Sequence, residues 1–200
     1  LQPILIAGPT ASGKSALALA LAEQVRGVVI NADSMQVYRE LRILTARPSA
    51  EDEARLPHRL YGRVPVAEAY SAGRFLIDMT ETLRACATMG MHPIIVGGTG
   101  LYFKALLEGL SPIPSVRDDV RAYWRAEAER VGAAELHRIL ELRDAAMAVR
   151  LQPTDTQRIV RALEVLESSG RSLAYWQQQP GTPLIDGGRA WTSRLHVLSA

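Results

Sequence analysis

Gly8–Ser15 read G-P-T-A-S-G-K-S and fit the pattern G-x-x-x-x-G-K-[ST]. No other feature constrains the fold as tightly. The loop holds phosphate only when a buried strand feeds it and a helix leaves it. Both flanks meet that requirement. "PILIAG" is a short apolar run ending in glycine, as in a buried strand, and "KSALALALAEQV" is built from strong helix formers. In such a turn Gly8 and Gly13 let successive backbone N–H groups face inward, and the helix N-terminus completes an anion cradle. Lys14 adds a point charge, and Ser15 offers a hydroxyl to Mg²⁺.

The rest of the chain extends the same pattern. "GVVINADS" reads as a second buried strand with polar residues at its C-terminal end. Residues 47–66 hold three prolines and little periodicity, and are expected to form a mobile connection. Ser71 is placed to cap a helix with Phe75, Met79 and Leu83 along its apolar stripe, and Gly90 to end it. "HPIIVGGTG" reads as a third buried strand with a glycine-rich exit. Residues 115–170 are helical in pattern, in three pieces broken near Gly132 and Pro153. The last piece starts at Thr154 or Asp155 and stops at Gly170. "QQQPGTPLIDGG" reads as a loop and "SRLHVLSA" as one more strand. The expected architecture is α/β: a P-loop-type parallel sheet flanked by helices, with a helical insertion. Its parts would be a core over 1–114, the insertion over 115–170 and a return to the core over 171–200.

Composition narrows the setting. With 48% hydrophobic and 22% charged residues the chain can build an ordinary core, and its net charge of +2 is too small to argue for nucleic acid. Its one cysteine, Cys86, allows no internal disulfide and fits a helix stripe as a buried thiol. No apolar run approaches the length of a membrane span and no basic region precedes the first strand as a leader peptide would require, so a cytoplasmic protein is expected, and nothing in the sequence suggests more than a monomer. His58, His92, His137 and His196 are scattered, without metal-site spacing. Lys14 and Lys104 are the only lysines, and the remaining basic residues are arginine. That bias fits either a GC-rich genome or contact with phosphate, which the guanidinium fork suits.

A loop of this kind most often binds ATP or GTP. Motor and switch proteins of this fold also carry an acid at the end of a buried strand. Here "IIVGG" ends in glycine and threonine, and the acid ends the second strand, at Asp33. Ligands of open α/β sheets bind beyond the C-terminal strand ends. Asp33 and Thr99 should therefore face the loop across one crevice. From the residues alone Asp33 is either a proton acceptor for an incoming nucleophile or a cap for a helix after Ser34. A small-molecule kinase using ATP and a non-catalytic nucleotide-binding switch both remain open at this point.

The runs "GPTASGKS", "NADSMQVYREL", "TARPS", "PHRLYG", "YSAGRF", "IIVGGTGLYFKALLEGLSPIPS" and "DTQRIVRALEV" resemble the tRNA dimethylallyltransferases, also called tRNA isopentenyltransferases. The resemblance implies transfer of a dimethylallyl group from dimethylallyl diphosphate to the exocyclic amine of the adenosine 3′ to the anticodon. It implies that Gly8, Pro9, Thr10, Ala11, Ser12, Gly13, Lys14 and Ser15 bind the diphosphate, with Mg²⁺ at Ser15. It implies catalytic roles for Asp33 as general base, Lys14 and Thr10. It assigns tRNA contact to Asp33, Ser34, Met35, Gln36, Thr99, Arg121, Gln157, Arg158, Ile159, Val160 and Arg161. On the inferred helix Gln157 and Arg161 share one face, while Ile159, Leu163 and Leu166 can face the core. Without the resemblance those arginines read as an ordinary solvated face. Family members continue well beyond the strand that "RLHVLSA" resembles, through a further helical region with an arginine on the diphosphate. That part is expected to be missing here.

Overall fold

The computed structural model describes residues 2–185 and the backbone of 194–197. Two compact units are present, one formed by 1–110 with 182–200 and one by 111–181.

The first unit is an α/β sheet. Strand β1 (Ile4–Ala7) leads through the glycine loop into helix α1 (Lys14–Gln24), then β2 (Gly27–Asn31). Helix α2 (Ala50–Arg55), β3 (His58–Arg59), α3 (Ala72–Met89), β4 (His92–Gly97) and α4 (Gly100–Glu108) follow, and β5 (Arg194–Val197) closes the order. The five strands lie β3-β2-β4-β1-β5, every neighbouring pair parallel. Parallel strands are covered on both faces, and the side chains alternate accordingly. Leu5, Val28, Ile30 and Ile95 pack with Phe75 and Met79 of α3 and with Tyr102 and Leu106 of α4. Ile6, Val29, Ile94 and Val96 pack on Ala18 and Ala22 of α1.

Local signals place the helix ends. Ser71 Oγ accepts the Arg74 N–H at 3.1 Å. Gly90 ends α3 with φ 63°, in the left-handed region where glycine carries no Cβ penalty. Cys86 is buried on that helix, and burial pushes its thiol pKa up, consistent with a packing role.

Residues 47–66 differ from the mobile connection expected of them. Ser49 and Asp52 form a reciprocal capping box that starts α2, with each side chain on the other's backbone N–H. Val29 and Ile30 of β2 then pair with His58 and Arg59 of β3, and Tyr38 bridges Val64. The prolines lie between these short elements rather than within them.

The helical unit holds α5 (Asp118–Arg143), α6 (Ala145–Ala148), α7 (Thr156–Ser169) and α8 (Leu173–Gln177). Within α5 only Gly132 is non-helical (φ 79°, ψ 171°). Asp155, not Thr154, caps α7, its carboxylate accepting the Arg158 N–H. Trp124, Leu136, Leu140, Ile159 and Leu163 form the centre of this unit's core. Helix α8 falls between the expected helical stretch and the expected loop, and residues 186–188 of that loop lie outside the described residues.

Candidate active site

The glycine loop sits between the C-terminal end of β1 and the first turn of α1. Gly13 adopts φ 81° at the N-cap of α1, and Ala11 adopts φ 64°. Ser12 Oγ and Lys14 Nζ both donate to the Pro9 carbonyl, at 2.9 and 2.8 Å, so the lysine lies folded along its own loop. Thr10 and Ser15 are exposed, and the first turn of α1 holds no acid to repel an anion. The loop amides, the helix N-terminus and Lys14 together provide a site for a polyanion.

Strand order brings the remaining candidates to the same edge. β4 lies between β1 and β2, so the segments after Ala7, Asn31 and Gly97 emerge side by side. A Cβ added to Gly97 would stand 2.2 Å from the Ala32 carbonyl carbon, so the exit of β4 lies against the exit of β2. A Cβ added to Gly98 would stand 3.3 Å from Asp33 Oδ2 and 3.4 Å from the Gly8 carbonyl oxygen. The Asp33 carboxylate and the mouth of the phosphate loop are thus separated by little more than the space that glycine leaves.

Asp33 does not cap a helix, because residues 34–37 form turns. Its Oδ1 accepts the Met35 N–H at 2.9 Å, a short Asx turn, and Oδ2 faces Gly98. Thr99 Oγ1 accepts the Ser34 N–H at 2.9 Å and donates to Ser34 Oγ at 3.2 Å. Its hydroxyl therefore holds the residue after Asp33. Gln36 Nε2 donates to the Thr45 carbonyl, whereas Met35 is nearly half exposed. Buried Tyr102 stacks on Phe75 with centroids 3.9 Å apart. Burial, with the charges of Tyr38 and Asp33, pushes its phenol pKa up to about 12, so it stays a neutral hydroxyl at ordinary pH.

Sequence reasoning missed two residues here. Asn31 holds the backbone of Asp33, and its only signal was an amide at the end of an apolar strand. Gly98 opens the space between carboxylate and loop, and the doubled glycine of "IIVGG" was the trace of it. An apolar hollow of about 310 Å³, lined in part by Pro3, Leu83, Met91 and Ile185, lies toward the opposite ends of β1 and β4. It is not part of this site.

The helical unit carries the other assigned residues. Gln157 and Arg158 are exposed on α7, and Arg161 is partly exposed. Ile159 and Val160, grouped with the tRNA contacts, are buried. Their side chains pack in the unit's core, which corrects any reading of them as RNA-facing. Arg121, Arg158 and Arg161 each pair with a carboxylate three residues away on their own helix or its cap: Asp118, Asp155 and Glu164. Asp118 is 97% exposed and readily displaced, whereas Glu164 is buried.

No group of three or more His, Cys, Asp or Glu able to hold a metal occurs among the described residues. The exposed Ser15 hydroxyl fits a cation that takes most of its oxygens from water and substrate phosphate, as Mg²⁺ does.

Comparison with known proteins decides the ancestry. The family model described as IPP transferase matches residues 36–198, and that described as isopentenyl transferase matches residues 2–63. The chain belongs to the IPP transferase family. It is 60% identical over 183 residues to a tRNA dimethylallyltransferase of Methylocella silvestris, covering 92% of this chain and 60% of that protein. It is 55% identical over 186 residues to one of Parvibaculum lavamentivorans, covering 93% and 59%. Among solved structures, a eukaryotic dimethylallyltransferase acting on tRNA superposes with a TM-score of 0.79 at 26% identity, over 100% of this chain and 49% of that one. A tRNA isopentenylpyrophosphate transferase of Bacillus halodurans gives 0.53 at 34% identity, over 86% and 57%. This member of the IPP transferase family spans about 60% of the length of the curated relatives it matches.

Proposed function

We propose that this chain transfers a dimethylallyl group from dimethylallyl diphosphate to the exocyclic amine of the adenosine 3′ to a tRNA anticodon. The observation that carries this reading is the adjacency of the Asp33 carboxylate and the phosphate loop, with only Gly98 between them. An acid beside an anion cradle, with no second acid ending β4, suits a nucleophile attacking a carbon whose leaving group is diphosphate. Family membership and the relatives' activity support the same reading.

Each residue then has a task. An adenine amine is a weak nucleophile because its lone pair is delocalised into the ring, and Asp33 Oδ2 takes its proton as the carbon–nitrogen bond forms. Oδ1 stays on the Met35 N–H and holds the carboxylate in place. Lys14 turns from the Pro9 carbonyl to the diphosphate and offsets its growing charge, while the loop amides and the exposed Thr10 hydroxyl hold its oxygens. Mg²⁺, held by Ser15, would supply further charge neutralisation on the leaving group. The adenosine must leave the anticodon stack for its amine to reach the carboxylate. Ser34, Met35, Gln36 and Thr99 would receive it. Arg121, Gln157, Arg158 and Arg161 of the helical unit would contact the stem-loop, as a cytoplasmic monomer.

Incubation of the chain with labelled dimethylallyl diphosphate, Mg²⁺ and unmodified tRNA should place label in the RNA. The control replaces the labelled donor with γ-labelled ATP. Label from ATP and none from the prenyl donor would overturn the reading in favour of a kinase.

A further inference from the structure

Asn31 ends β2 and is 2% exposed, the only side chain in "GVVIN" with polar atoms. Three of its four hydrogen-bonding directions are used. Nδ2 donates to the Asp33 carbonyl at 2.9 Å and to the Leu60 carbonyl at 3.1 Å, and Oδ1 accepts the Asp33 N–H at 2.8 Å. Two carbonyls on one side and one N–H on the other leave a single orientation for the amide. Leu60 is itself unusual. It is buried yet adopts φ 64°, a region that branched side chains rarely occupy. Such outliers persist only where the surroundings over-determine them, and they cluster at functional sites. Here the over-determined group includes the carbonyl that Asn31 binds.

We infer that Asn31 is the positioning residue for the Asp33 carboxylate, tying the end of β2 and the Leu60 turn to both peptide groups of Asp33. The inference rests on the reading of Asp33 as the general base. With its own N–H and C=O both held, Asp33 retains only its side-chain torsions, and the Met35 N–H on Oδ1 restrains those. Oδ2 is thereby left toward Gly98 and the loop. Removing the Asn31 amide leaves the buried Leu60 carbonyl and the Asp33 N–H without their partners, and the turn must rearrange to satisfy them. A displacement of about 1 Å at a reacting group can cost on the order of 10²-fold in rate. The loss belongs in the chemical step, because Asn31 is too deep to touch either substrate.

The test uses Asn31→Ala, Asn31→Asp, Asp33→Asn and the double variant Asn31→Ala/Asp33→Asn in the full chain. Single-turnover rates, KM for tRNA and for dimethylallyl diphosphate, and amide hydrogen exchange at Asp33 and Met35 are measured. Asn31→Ala should lower the rate about 10–100-fold with both KM values within about threefold. Exchange at the two amides should quicken by at least about tenfold. Asn31→Asp should follow alanine despite its matched shape, because a carboxylate oxygen then faces two carbonyls. It also serves if alanine fails to fold. In the Asp33→Asn background the Asn31 change should cost little more. A near-normal rate in Asn31→Ala, full additivity in the double variant or unchanged exchange at both amides would overturn the inference. If Asp33→Asn alone keeps its rate, the base assignment fails instead. Exchange then still decides whether Asn31 holds this turn.

Discussion

Replacing Arg161 by alanine should destabilise the helical unit as well as weaken RNA binding, and the two effects can be separated. Glu164 is 5% exposed, and Arg161, 3.6 Å away, is its only partner among the described residues. Removing one member of a fully buried pair costs about 3–5 kcal/mol, because an uncompensated charge stays behind. An exposed pair is worth about 0.2–1 kcal/mol. The Arg161 side chain is 42% exposed, so water screens this pair from one side. The expected loss therefore lies between those limits, at about 1–2 kcal/mol. Glu164→Gln should be nearly neutral, since an amide is cheaper to bury than a carboxylate. In the double variant most of the Arg161→Ala loss should disappear. Trp124 and Trp176 lie within the unit, so urea unfolding followed by fluorescence in a Trp191→Phe background reports on it. Binding to tRNA at several salt concentrations is measured on the same four proteins. Loss of one phosphate contact flattens the salt slope by about one unit, and Glu164→Gln should not restore it. A stability change under about 0.5 kcal/mol in Arg161→Ala, or none recovered in the double variant, would refute the argument that Glu164 depends on this arginine.

Three further outcomes follow from the site. Asp33→Asn should lower the single-turnover rate roughly 10²–10⁴-fold, because asparagine can still accept the Met35 N–H but cannot take a proton; a rate within about threefold of the parent would exclude Asp33 as base. Lys14→Ala should weaken inorganic diphosphate binding by about tenfold or more while tRNA affinity stays within about twofold, since among the described residues its side chain bonds to the Pro9 carbonyl of its own loop; equal diphosphate affinity by calorimetry would contradict the loop's role. Gly98→Ala should cut turnover by about tenfold or more with little change in melting temperature, its methyl group standing 3.3 Å from Asp33 Oδ2 and 3.4 Å from the Gly8 carbonyl oxygen; parent-like kinetics would mean that the crevice does not pass through that space.

What could be read along the chain was local in origin. Eight consecutive residues specify the phosphate loop, because its geometry needs only left-handed backbone at Ala11 and Gly13 and the strand and helix on either side. The caps at Ser71 and Gly90 are equally local, each being a bond or a backbone angle within four residues. Folding in three dimensions decided what depends on distant partners. The proline-bearing stretch 47–66 is ordered because β3 pairs with β2 and Asn31 reaches Leu60, twenty-nine positions away. Ile159 and Glu164 lie inside the helical unit because α7 is covered on more than one side. A single apolar stripe would have left the glutamate in water. Most of all, the strand order sets β4 between β1 and β2 and so brings Gly98 between Asp33 and the loop. Nothing in the spacing of residues 8, 33 and 98 states that adjacency, because parallel strands are joined through long crossovers whose sideways placement is settled by packing.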